Sequence, residues 1–524
     1  MVEQRIGTRR WRRGGAGGTA QVTVGAGGTA TVGDTLKVYG GGEVDLNGGT
    51  IDTGRLGTVE GLWTWGSGAL NITDPTYEFV VGVGGPFGDT LSLPAAVTMT
   101  VAGQTTVDAG ASLTSADYTG SGKVVNHGTI TSTGSVVLGD TSVLQAYSGA
   151  GDLVVGSNDL TLKSKGFVQI GGTIDLTGGT LSVPNGIAFD VAGYFTGHGT
   201  IDGRIAAAVD STIEATGNLT LGDPNAYDGV YSDGVIDVGN NALTLLDADR
   251  AVLGSLTLIG NADPNDDAIH ATNGLLIDFG KTLQGYGRVT GQTMMNGMTH
   301  CEGSGIEFMS NVNGVGDFTG PVTYSGGYTP GFSPAAIDLD DVTFTATNTL
   351  VLEIGGMAPG ADHDQLNASG AVTYGGVLDL RLIGGFTPTI GQSFDLITTA
   401  GRTGHFDSVL GVNHGPYSLA AIYAGDDLVL EILNSGDSTR DGVIDVGDLA
   451  VVGFNWGQSA TWQTGDLNGD GLVDVGDLAV VGFNWGAGTG GPALDGTTIP
   501  LPGATPVGLA GLMALTARRT TRRP

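Results

Sequence analysis

"GGTIDLTGGTLSV", residues Gly171–Val183, contains the pattern that decides the fold of most of this chain. Apolar residues alternate with Thr, Asp or Ser on both sides of a central Gly-Gly pair. Alternation with a period of two is typical of a β-strand that buries one face. The glycines permit a sharp change of direction, because glycine adopts positive φ angles without steric cost. The stretch therefore predicts two short strands joined at a corner.

Related phrases recur at irregular intervals between residues 14 and 331. They include "GGTIDTG" at Gly48–Gly54, "NHGTI" at Asn126–Ile130 and "GHGTIDG" at Gly197–Gly203. Imperfect repetition of short strands and glycine turns favours a parallel β-solenoid, in which successive rungs stack about 4.8 Å apart and share one core. We expect roughly 20–25 residues per rung, within the periods of known repeat architectures. A pair of β-sandwiches would give the same signals and stays open as the alternative.

The composition of the 524-residue chain limits its function classes. Glycine occupies 96 positions, and 53 acidic residues against 21 basic ones give a net charge of −32. Such a chain repels phosphate backbones and attracts cations, so we predict no nucleic-acid partner. Cys301 is the only cysteine, which excludes an intramolecular disulfide and a thiolate metal cluster.

Longer strand patterns follow residue 331, such as "TLVLEIGG" at Thr349–Gly356 and "GGVLDLRLIGG" at Gly375–Gly385. We interpret residues 332–433 as an antiparallel β cap or sandwich that closes the solenoid, because an open solenoid end leaves an unpaired strand edge. The segment that starts with "TPGFSPAAIDLDDVTF", Thr329–Phe344, resembles the end of autotransporter-like passenger proteins. The resemblance implies a right-handed parallel β-helix on an exported surface protein.

Near the carboxyl end one phrase occurs twice, since thirteen residues are identical in Asp445–Gly457 and Asp474–Gly486. Each copy completes the spacing of a calcium loop, with oxygen ligands at positions 1, 3, 5, 7, 9 and 12 and Gly at position 6. Because Thr439 replaces a stronger ligand at position 3, we expect the first of two Ca²⁺ sites to bind more weakly. The predicted ligands are Asp437, Thr439, Asp441, Val443 (carbonyl), Asp445 and Asp448 in the first loop, and Asp466, Asn468, Asp470, Leu472 (carbonyl), Asp474 and Asp477 in the second.

A calcium loop followed by a short helix, present twice, resembles a dockerin type I module. The resemblance implies a pseudo-symmetric helix pair built from duplicated EF-hand loop-helix units, with a cohesin-like or other surface protein as partner. The heptapeptide "DGVIDVG" of the first copy also occurs within Gly229–Asn241. There, Gly229 and Tyr231 fall at positions 1 and 3 and cannot ligate through their side chains, so we predict a solenoid segment without calcium.

The final residues, "IPLPGATPVGLAGLMALTARRTTRRP" at Ile499–Pro524, resemble a PEP-CTERM-type sorting signal, with Leu501 where that signal has Glu. The resemblance implies transient membrane contact and a location that is secreted or at the cell surface or envelope of a bacterium. The sequence thus divides into a basic segment at 1–13 (interpreted as a truncated or misassigned signal region), a β-solenoid at 14–331, a β-rich capping region at 332–433, a dockerin-like calcium module at 434–488, a flexible spacer at 489–499 and a sorting tail at 500–524.

Catalysis was weighed on two motifs of the solenoid. "GHG" at Gly197–Gly199 and "DD" at Asp266–Asp267 resemble polygalacturonase motifs, but they occur in reverse order and no basic element follows. We therefore predict no catalytic residue and a structural or interaction role, with extracellular polysaccharide as a second partner. The alternative is a polysaccharide-active β-helix enzyme, a lyase or glycoside hydrolase, delivered by its dockerin. Such an enzyme should show a cleft with clustered carboxylates or an Arg or Lys opposite an Asp.

Overall fold

A computed structural model describes residues 20–189, 193–332 and 334–488, with the backbone of 5–6 and 9–10. Most of the basic segment 1–13, the spacer 489–499 and the sorting tail 500–524 lie outside these residues. The chain forms two compact units. The first comprises residues up to 387 together with 394–410 and 423–429, and the second comprises 388–393, 411–422 and the residues from 430 onward.

The structure is mainly β, and its long parallel sheets agree with the predicted β-solenoid. Strand pairings between Ala20 and Leu410 are parallel, whereas the sandwiches considered as the alternative are built from antiparallel sheets. The strands of the largest sheet from Ala20 to Gly404 are Ala20–Gly25, Thr29–Val38, Gly42–Val59, Leu62–Ile72, Thr90–Ser92, Val97–Val101, Ser112–Gly120, Thr129–Gly139, Asp152–Gly156, Asp159–Lys163, Thr173–Ser182, Tyr194–Asp202, Thr212–Gly222, Val235–Gly239, Leu243–Leu246, Leu256–Gly260, Ile269–Ala271, Thr282–Thr290, Met298–Phe308, Asp317–Thr319, Val322–Tyr324, Ala336–Leu339, Val342–Phe344, Gln365–Tyr374 and Ser393–Gly404.

Short strands, mostly of three residues, form two further sheets of four and twelve strands. The four are Glu78–Val81, Gln104–Val107, Val124–Asn126 and Tyr147–Ser148, and the twelve are Val168–Ile170, Ile187–Phe189, Ile205–Ala207, Val230–Ser232, Ala251–Val252, Leu275–Ile277, Thr293–Met295, Val312–Gly314, Gly327–Pro330, Thr349–Ile354, Val377–Leu382 and Ser408–Leu410. The last strands of the chain are Tyr417–Ala424 and Asp427–Asn434, and the short strands Arg5–Ile6 and Arg9–Arg10 precede all of these.

The strand Thr173–Ser182 shows how one rung is built. It pairs in parallel with Tyr194–Asp202 of the next rung, and the register shifts in its middle. Gly178, with φ 103°, makes that corner, so the opening stretch forms one bent strand rather than two. Its inward residues Ile174 and Leu181 are fully buried. Each apolar side chain therefore lies on the equivalent residue of the neighbouring rung, as the alternation predicts.

Asparagine side chains fasten several corners to the preceding rung. A carbonyl at a corner lies where the ladder is interrupted, and it needs another donor when it is removed from water. The amide supplies that donor and fixes the height of the corner. The clearest examples join Asn158 Nδ2 to Ser132 O at 3.0 Å, Asn241 Nδ2 to Ala215 O at 2.9 Å and Asn273 Nδ2 to Asp247 O at 2.6 Å.

Aromatic rings stack along the axis in the later rungs. Phe308, Tyr324 and Phe344 occupy the same position of successive strands, with ring centroids 6.0 and 5.8 Å apart and interplanar angles of 18°. Tyr374 continues the stack 6.4 Å from Phe344. Each such pair contributes about 0.5–1.5 kcal/mol beyond the area it buries. In-register pairing of the strands causes this stack, because it places equivalent side chains of successive rungs directly above one another.

Parallel pairing continues into the region expected to be a cap. Ala336–Leu339 pairs in parallel with Gln365–Tyr374, which pairs in parallel with Ser393–Gly404. Val377–Leu382 pairs in parallel with Ser408–Leu410. The expected antiparallel pairing of residues 332–433 is therefore wrong as far as Leu410. The buried faces of these longer strands continue the core of the preceding rungs, so the strands extend the stack.

The helices belong to the second unit. They are α1, Val446–Phe454, and α2, Val475–Phe483, with a single 3₁₀ turn at Trp462–Thr464 between them. Among the described residues, no helix is both long and apolar enough to cross a membrane.

A buried lysine ties neighbouring rungs together. Lys281 is 8% exposed, and its ammonium donates to Ser232 O at 2.5 Å and to Leu253 O at 3.0 Å. It also lies 3.1 Å from Asp233 Oδ1 and 4.9 Å from the centre of the Tyr231 ring. The charge is therefore buried with a counter-ion and two carbonyl acceptors, an arrangement that is costly to break from one side.

Replacement of Lys281 by Met should destabilise the solenoid by about 2–4 kcal/mol, because two carbonyls and the Asp233 carboxylate lose their partner. The midpoint of urea unfolding, followed by circular dichroism, measures this. Lys165→Met removes an exposed lysine and is the control, with an expected change below about 0.5 kcal/mol. Equal midpoints for the two variants would show that the buried contacts of Lys281 contribute nothing.

Candidate metal centre

The two calcium-loop sequences form the same loop and helix. Asp445 and Asp474 are the helix N-caps, and their Oδ1 atoms accept the N–H groups of Gly447 at 2.7 Å and Gly476 at 2.6 Å. The sequence places the second helix only after Asp477. The structure begins it at Val475, because a capping aspartate at position 9 satisfies the first free N–H groups of the helix.

Position 12 of each loop is a fully buried aspartate that joins the start of the loop to the start of the helix. Asp448 Oδ1 accepts the N–H of Thr439 at 2.9 Å, and its Oδ2 accepts the N–H of Asp445 at 3.0 Å. Asp477 likewise accepts the N–H of Leu467 at 2.7 Å and of Asp474 at 2.8 Å. These aspartates therefore hold both ends of each loop at a fixed separation.

Position 1 of each loop is also a buried carboxylate. Asp437 accepts the N–H groups of Asp441 at 3.2 Å and Gly442 at 3.0 Å. Asp466 accepts those of Gly469 at 2.9 Å and Gly471 at 3.0 Å. Gly471 and Gly442 have φ angles of 87° and 85°, so position 6 makes the sharp bend that the loop requires. The chain wraps around this first carboxylate in both copies.

Positions 3 and 5 differ between the copies. Thr439 Oγ1 donates to Asp448 Oδ1 at 3.1 Å, so its hydroxyl is already engaged. Asn468 accepts the N–H of Asp470 at 2.9 Å and donates to Asp470 Oδ2 at 2.9 Å. An amide oxygen is a better Ca²⁺ ligand than a hydroxyl, and in this structure both groups form hydrogen bonds within their loops. The backbone N–H groups at position 7 are held by position 5, from Val443 to Asp441 at 2.9 Å and from Leu472 to Asp470 at 3.0 Å.

Burial perturbs the acidity of the loop carboxyls. Removal from water raises the pKa of Asp466 to about 6, against the lowering effect of its backbone hydrogen bonds, and the nearby Asp477 and Asp470 charges raise it further. Burial also raises the pKa of Asp437 and of Asp477. A divalent cation would offset both the lost solvation and the mutual repulsion. Carboxylate, amide and carbonyl oxygens are the ligands that Ca²⁺ prefers, so the donor set fits this ion.

The carboxylates are nevertheless not gathered around one point. Among the described residues, no group of three or more His, Cys, Asp or Glu side chains is arranged to hold a metal ion. The loop carboxylates instead accept backbone N–H groups of their own loops. Coordination of Ca²⁺ requires them to exchange part of this hydrogen bonding for the ion.

Large apolar side chains cover the outer faces of both helices. Phe454 and Phe483 are 89% and 90% exposed, and Trp456 and Trp485 are 50% and 45% exposed. We define the apolar helix surface as these residues and the exposed Val and Leu at equivalent positions. Exposed Phe and Trp side chains at equivalent positions of two repeats are candidates for contacts with another protein. Its members are Val446, Leu449, Phe454 and Trp456 in the first copy and Val475, Leu478, Phe483 and Trp485 in the second.

Two acidic residues near the start of the region expected to be a cap, Asp340 and Asp341, form hydrogen bonds that stabilise the fold. Asp340 accepts the N–H of Gly320 at 2.7 Å and the hydroxyl of Ser369 at 2.5 Å, and the latter bond is the main cause that lowers its pKa. Asp341 accepts the N–H of Ala371 at 2.7 Å. These carboxylates therefore link neighbouring rungs.

In the solenoid, Asp267 belongs to a group of charged residues whose other members, His270 and Arg288, were not predicted from the sequence. Asp267 Oδ2 lies 3.5 Å from His270 Nδ1, and Asp267 Oδ1 lies 3.7 Å from Arg288 Nη2. His270 pairs with Thr290 of the next rung, and both line an open cleft of about 470 Å³. In linear order no basic element follows the aspartate pair, whereas rung stacking supplies Arg288 from the next strand. His198, the other candidate, lies with Nδ1 3.3 Å from the hydroxyl of Thr216.

Comparison of the chain with protein-family models reveals no match, and comparison with curated proteins reveals no relative.

Calcium affinity should fall as the pH decreases through about 6, because the proton on Asp466 then competes with the ion. Without calcium, the stability of the folded loop changes with pH in the opposite direction. A carboxyl with a raised pKa stabilises the folded loop most at low pH, and this contribution is lost as the pH rises from about 4 to about 6. Isothermal titration calorimetry at about pH 7.5 and about pH 5 should show at least roughly tenfold weaker binding at the lower pH. Equal affinities at the two pH values would contradict the role predicted for the buried Asp466 as the first ligand.

Proposed function

We propose that this chain is an exported structural or interaction protein of the bacterial cell surface or extracellular matrix. A β-solenoid, wound right-handed and closed by a β cap, would form its body. Residues 434–488 would form a calcium-dependent, dockerin-like module that binds another protein, and the tail at 500–524 would direct sorting through transient membrane contact. The observation that carries the proposal is the duplication itself, because two separate stretches build the same loop, buried acid and capped helix.

Calcium would act by organising the loops and thereby the helices. Asp448 and Asp477 connect each loop to the first turn of its helix. An ion that draws these carboxylates together would therefore fix where α1 and α2 begin. The apolar helix surface lies on those helices, so its shape would depend on the ion.

The partner expected at the apolar helix surface is a cohesin-like or other surface protein. Exposed Phe and Trp side chains are the kind of anchor that a complementary apolar pocket binds, and aromatic residues dominate the energetics of such interfaces. Extracellular polysaccharide is a second expected partner, through the solenoid. The large negative charge disfavours acidic macromolecules in both cases.

Calorimetry on the full-length protein should detect two Ca²⁺ sites, the weaker at residues 437–448. Asp445→Asn should weaken the weaker site and Asp474→Asn the tighter site, each by at least about tenfold, because each removes one ligand charge. Asparagine keeps the helix cap, so both helices should persist.

The chain offers a matched control for this experiment. Asp237 occupies the same place in the heptapeptide "DGVIDVG" as Asp445, but its carboxylate accepts the N–H of Gly239 at 3.1 Å within a solenoid strand. Asp237→Asn should leave both calcium sites unchanged. The proposal fails if the chain takes up no calcium, or if the Asp237 variant loses as much affinity as the other two.

A second candidate function is supported by Asp267, His270 and Arg288. A carboxylate and an imidazole are common general acids and bases, and an adjacent guanidinium could bind an acidic sugar. His270 lines an open cleft, and a charged group that includes a cleft residue is expected of a polysaccharide-active β-helix enzyme.

Purified protein incubated with acidic polysaccharides separates the two functions. The structural role predicts no cleavage, measured as new reducing ends and as unsaturated products. Cleavage that falls at least about a hundredfold in Asp267→Asn, but persists in Asp338→Asn, would instead establish the enzyme. Asp338 is an exposed acid that accepts the Asn367 amide at 3.1 Å, so its variant controls for lost surface charge.

A further inference from the structure

Two tryptophans of the first rungs face the core side of the solenoid and yet remain partly exposed. Trp63 and Trp65 lie in register with the buried Val44 and Leu46 of the preceding rung. The indoles should therefore be covered by the following rung. They are only partly covered, which makes this part of the wall different from its neighbours.

The cause is a local interruption of the ladder. Only the second half of the strand Leu62–Ile72 pairs with the next rung, at Val97–Val101. The strand expected beside the first half, Thr90–Ser92, pairs instead with Ser112–Thr114 of the rung beyond. The indole rings consequently face a gap rather than another strand.

A glycine-rich corner loop fills part of this gap. Phe87 inserts its ring 5.4 Å from Trp63 and 5.3 Å from Trp65, and the two indoles lie 5.1 Å apart. Pro86 fixes the loop to the neighbouring rung, because its carbonyl accepts the N–H of Val59 at 3.2 Å. Three aromatic rings thus form one cluster that is partly accessible to solvent.

Beside this cluster lies an open cleft of about 490 Å³, a size within the range of small-molecule sites. Trp63 and Phe87 supply apolar ring surface, whereas Thr58 and Glu60 supply exposed polar groups at the cleft. Trp63 Nε1 is buried and has no acceptor, so the fold itself leaves this donor unused. Such a lining suits a ligand with apolar faces and hydroxyl-bearing edges.

We propose that this cleft binds a neutral glycan chain, with sugar rings stacked against the Trp63 and Phe87 cluster. The C–H face of a pyranose ring is apolar and matches the electron-rich face of an aromatic ring. Its hydroxyl groups can donate to the exposed Glu60 carboxylate. Charge selects against acidic glycans, because Glu60 is the single charged residue among those that line the cleft and the chain carries a net charge of −32.

The site rests on the polysaccharide partner proposed above, to which it gives a location and a charge preference, and it does not depend on calcium. It lies in the first rungs, and its residues are separate from the calcium loops and from the group around Asp267. Loss of calcium binding would therefore leave it intact, and the absence of glycan binding would leave the dockerin-like module untouched.

The test is the intrinsic tryptophan fluorescence of the full-length protein, titrated in the presence of EDTA with neutral soluble polysaccharides (a β-glucan, a xylan and a mannan) and with polygalacturonate. At least one neutral polymer should shift the emission with saturation, and polygalacturonate should not. Phe87→Ala should weaken this binding by at least about tenfold, because it removes one stacking ring. Phe279→Ala removes an exposed phenyl ring elsewhere in the solenoid and should leave the affinity unchanged.

Glu60→Gln provides a variant that cannot disturb the core, because Glu60 is exposed. It should weaken binding of the neutral polymer several-fold through loss of a charged acceptor. The proposal is overturned if no neutral polymer binds, if polygalacturonate binds as tightly, or if Phe279→Ala weakens binding as much as Phe87→Ala does.

Discussion

In-register parallel stacking of one rung on the next is the constraint on which the solenoid depends. It places each inward side chain on an equivalent residue, so Ile174 is covered by Phe195 and the rings of Phe308, Tyr324 and Phe344 form a column. It also brings together residues that are distant in sequence, such as Asp267 and Arg288. Where the stacking lapses, at Trp63, core aromatic rings become accessible. Core and candidate sites are thus products of one geometric rule.

Identical short sequences follow this rule only where their neighbours permit it. The heptapeptide "DGVIDVG" is part of a solenoid strand at residues 233–239, but at 441–447 it forms the end of a loop and the start of α1. At residues 441–447 the heptapeptide is preceded by Asp437 and followed by Asp448, whose carboxylates accept backbone N–H groups of the loop. At residues 233–239 it has no such acids beside it, and its strand pairs with strands on both sides. Hydrogen-bond acceptors outside the heptapeptide therefore decide its conformation.

The local features of the fold and of the candidate site could be predicted from the sequence. The features that could not be predicted depend on contacts between residues that are distant along the chain. Alternation and glycine corners predicted the parallel ladder, and oxygen spacing identified both loops, because each is a local property. The direction of pairing beyond Ala336 was not local, since a long alternating strand suits parallel and antiparallel sheets equally. Asp474 was assigned as a ligand only, although an aspartate before a helix is also a cap. The contact of Asp267 with Arg288 could not be predicted, because it depends on the number of residues in the rung between them.

The variable corners also bear on how such a chain diversifies. Hydrogen-bonded partners on adjacent rungs are separated by as few as 16 residues at Asn311 and Gly327 and by as many as 31 at Gly376 and Asp407. The strands keep their alignment across this range, so insertions are absorbed where the chain changes direction. The cleft beside Trp63 is lined in part by such an elongated corner, at residues 85–88. A lineage could therefore acquire new recognition surfaces by lengthening a single corner, with no compensating change in the hydrophobic interior.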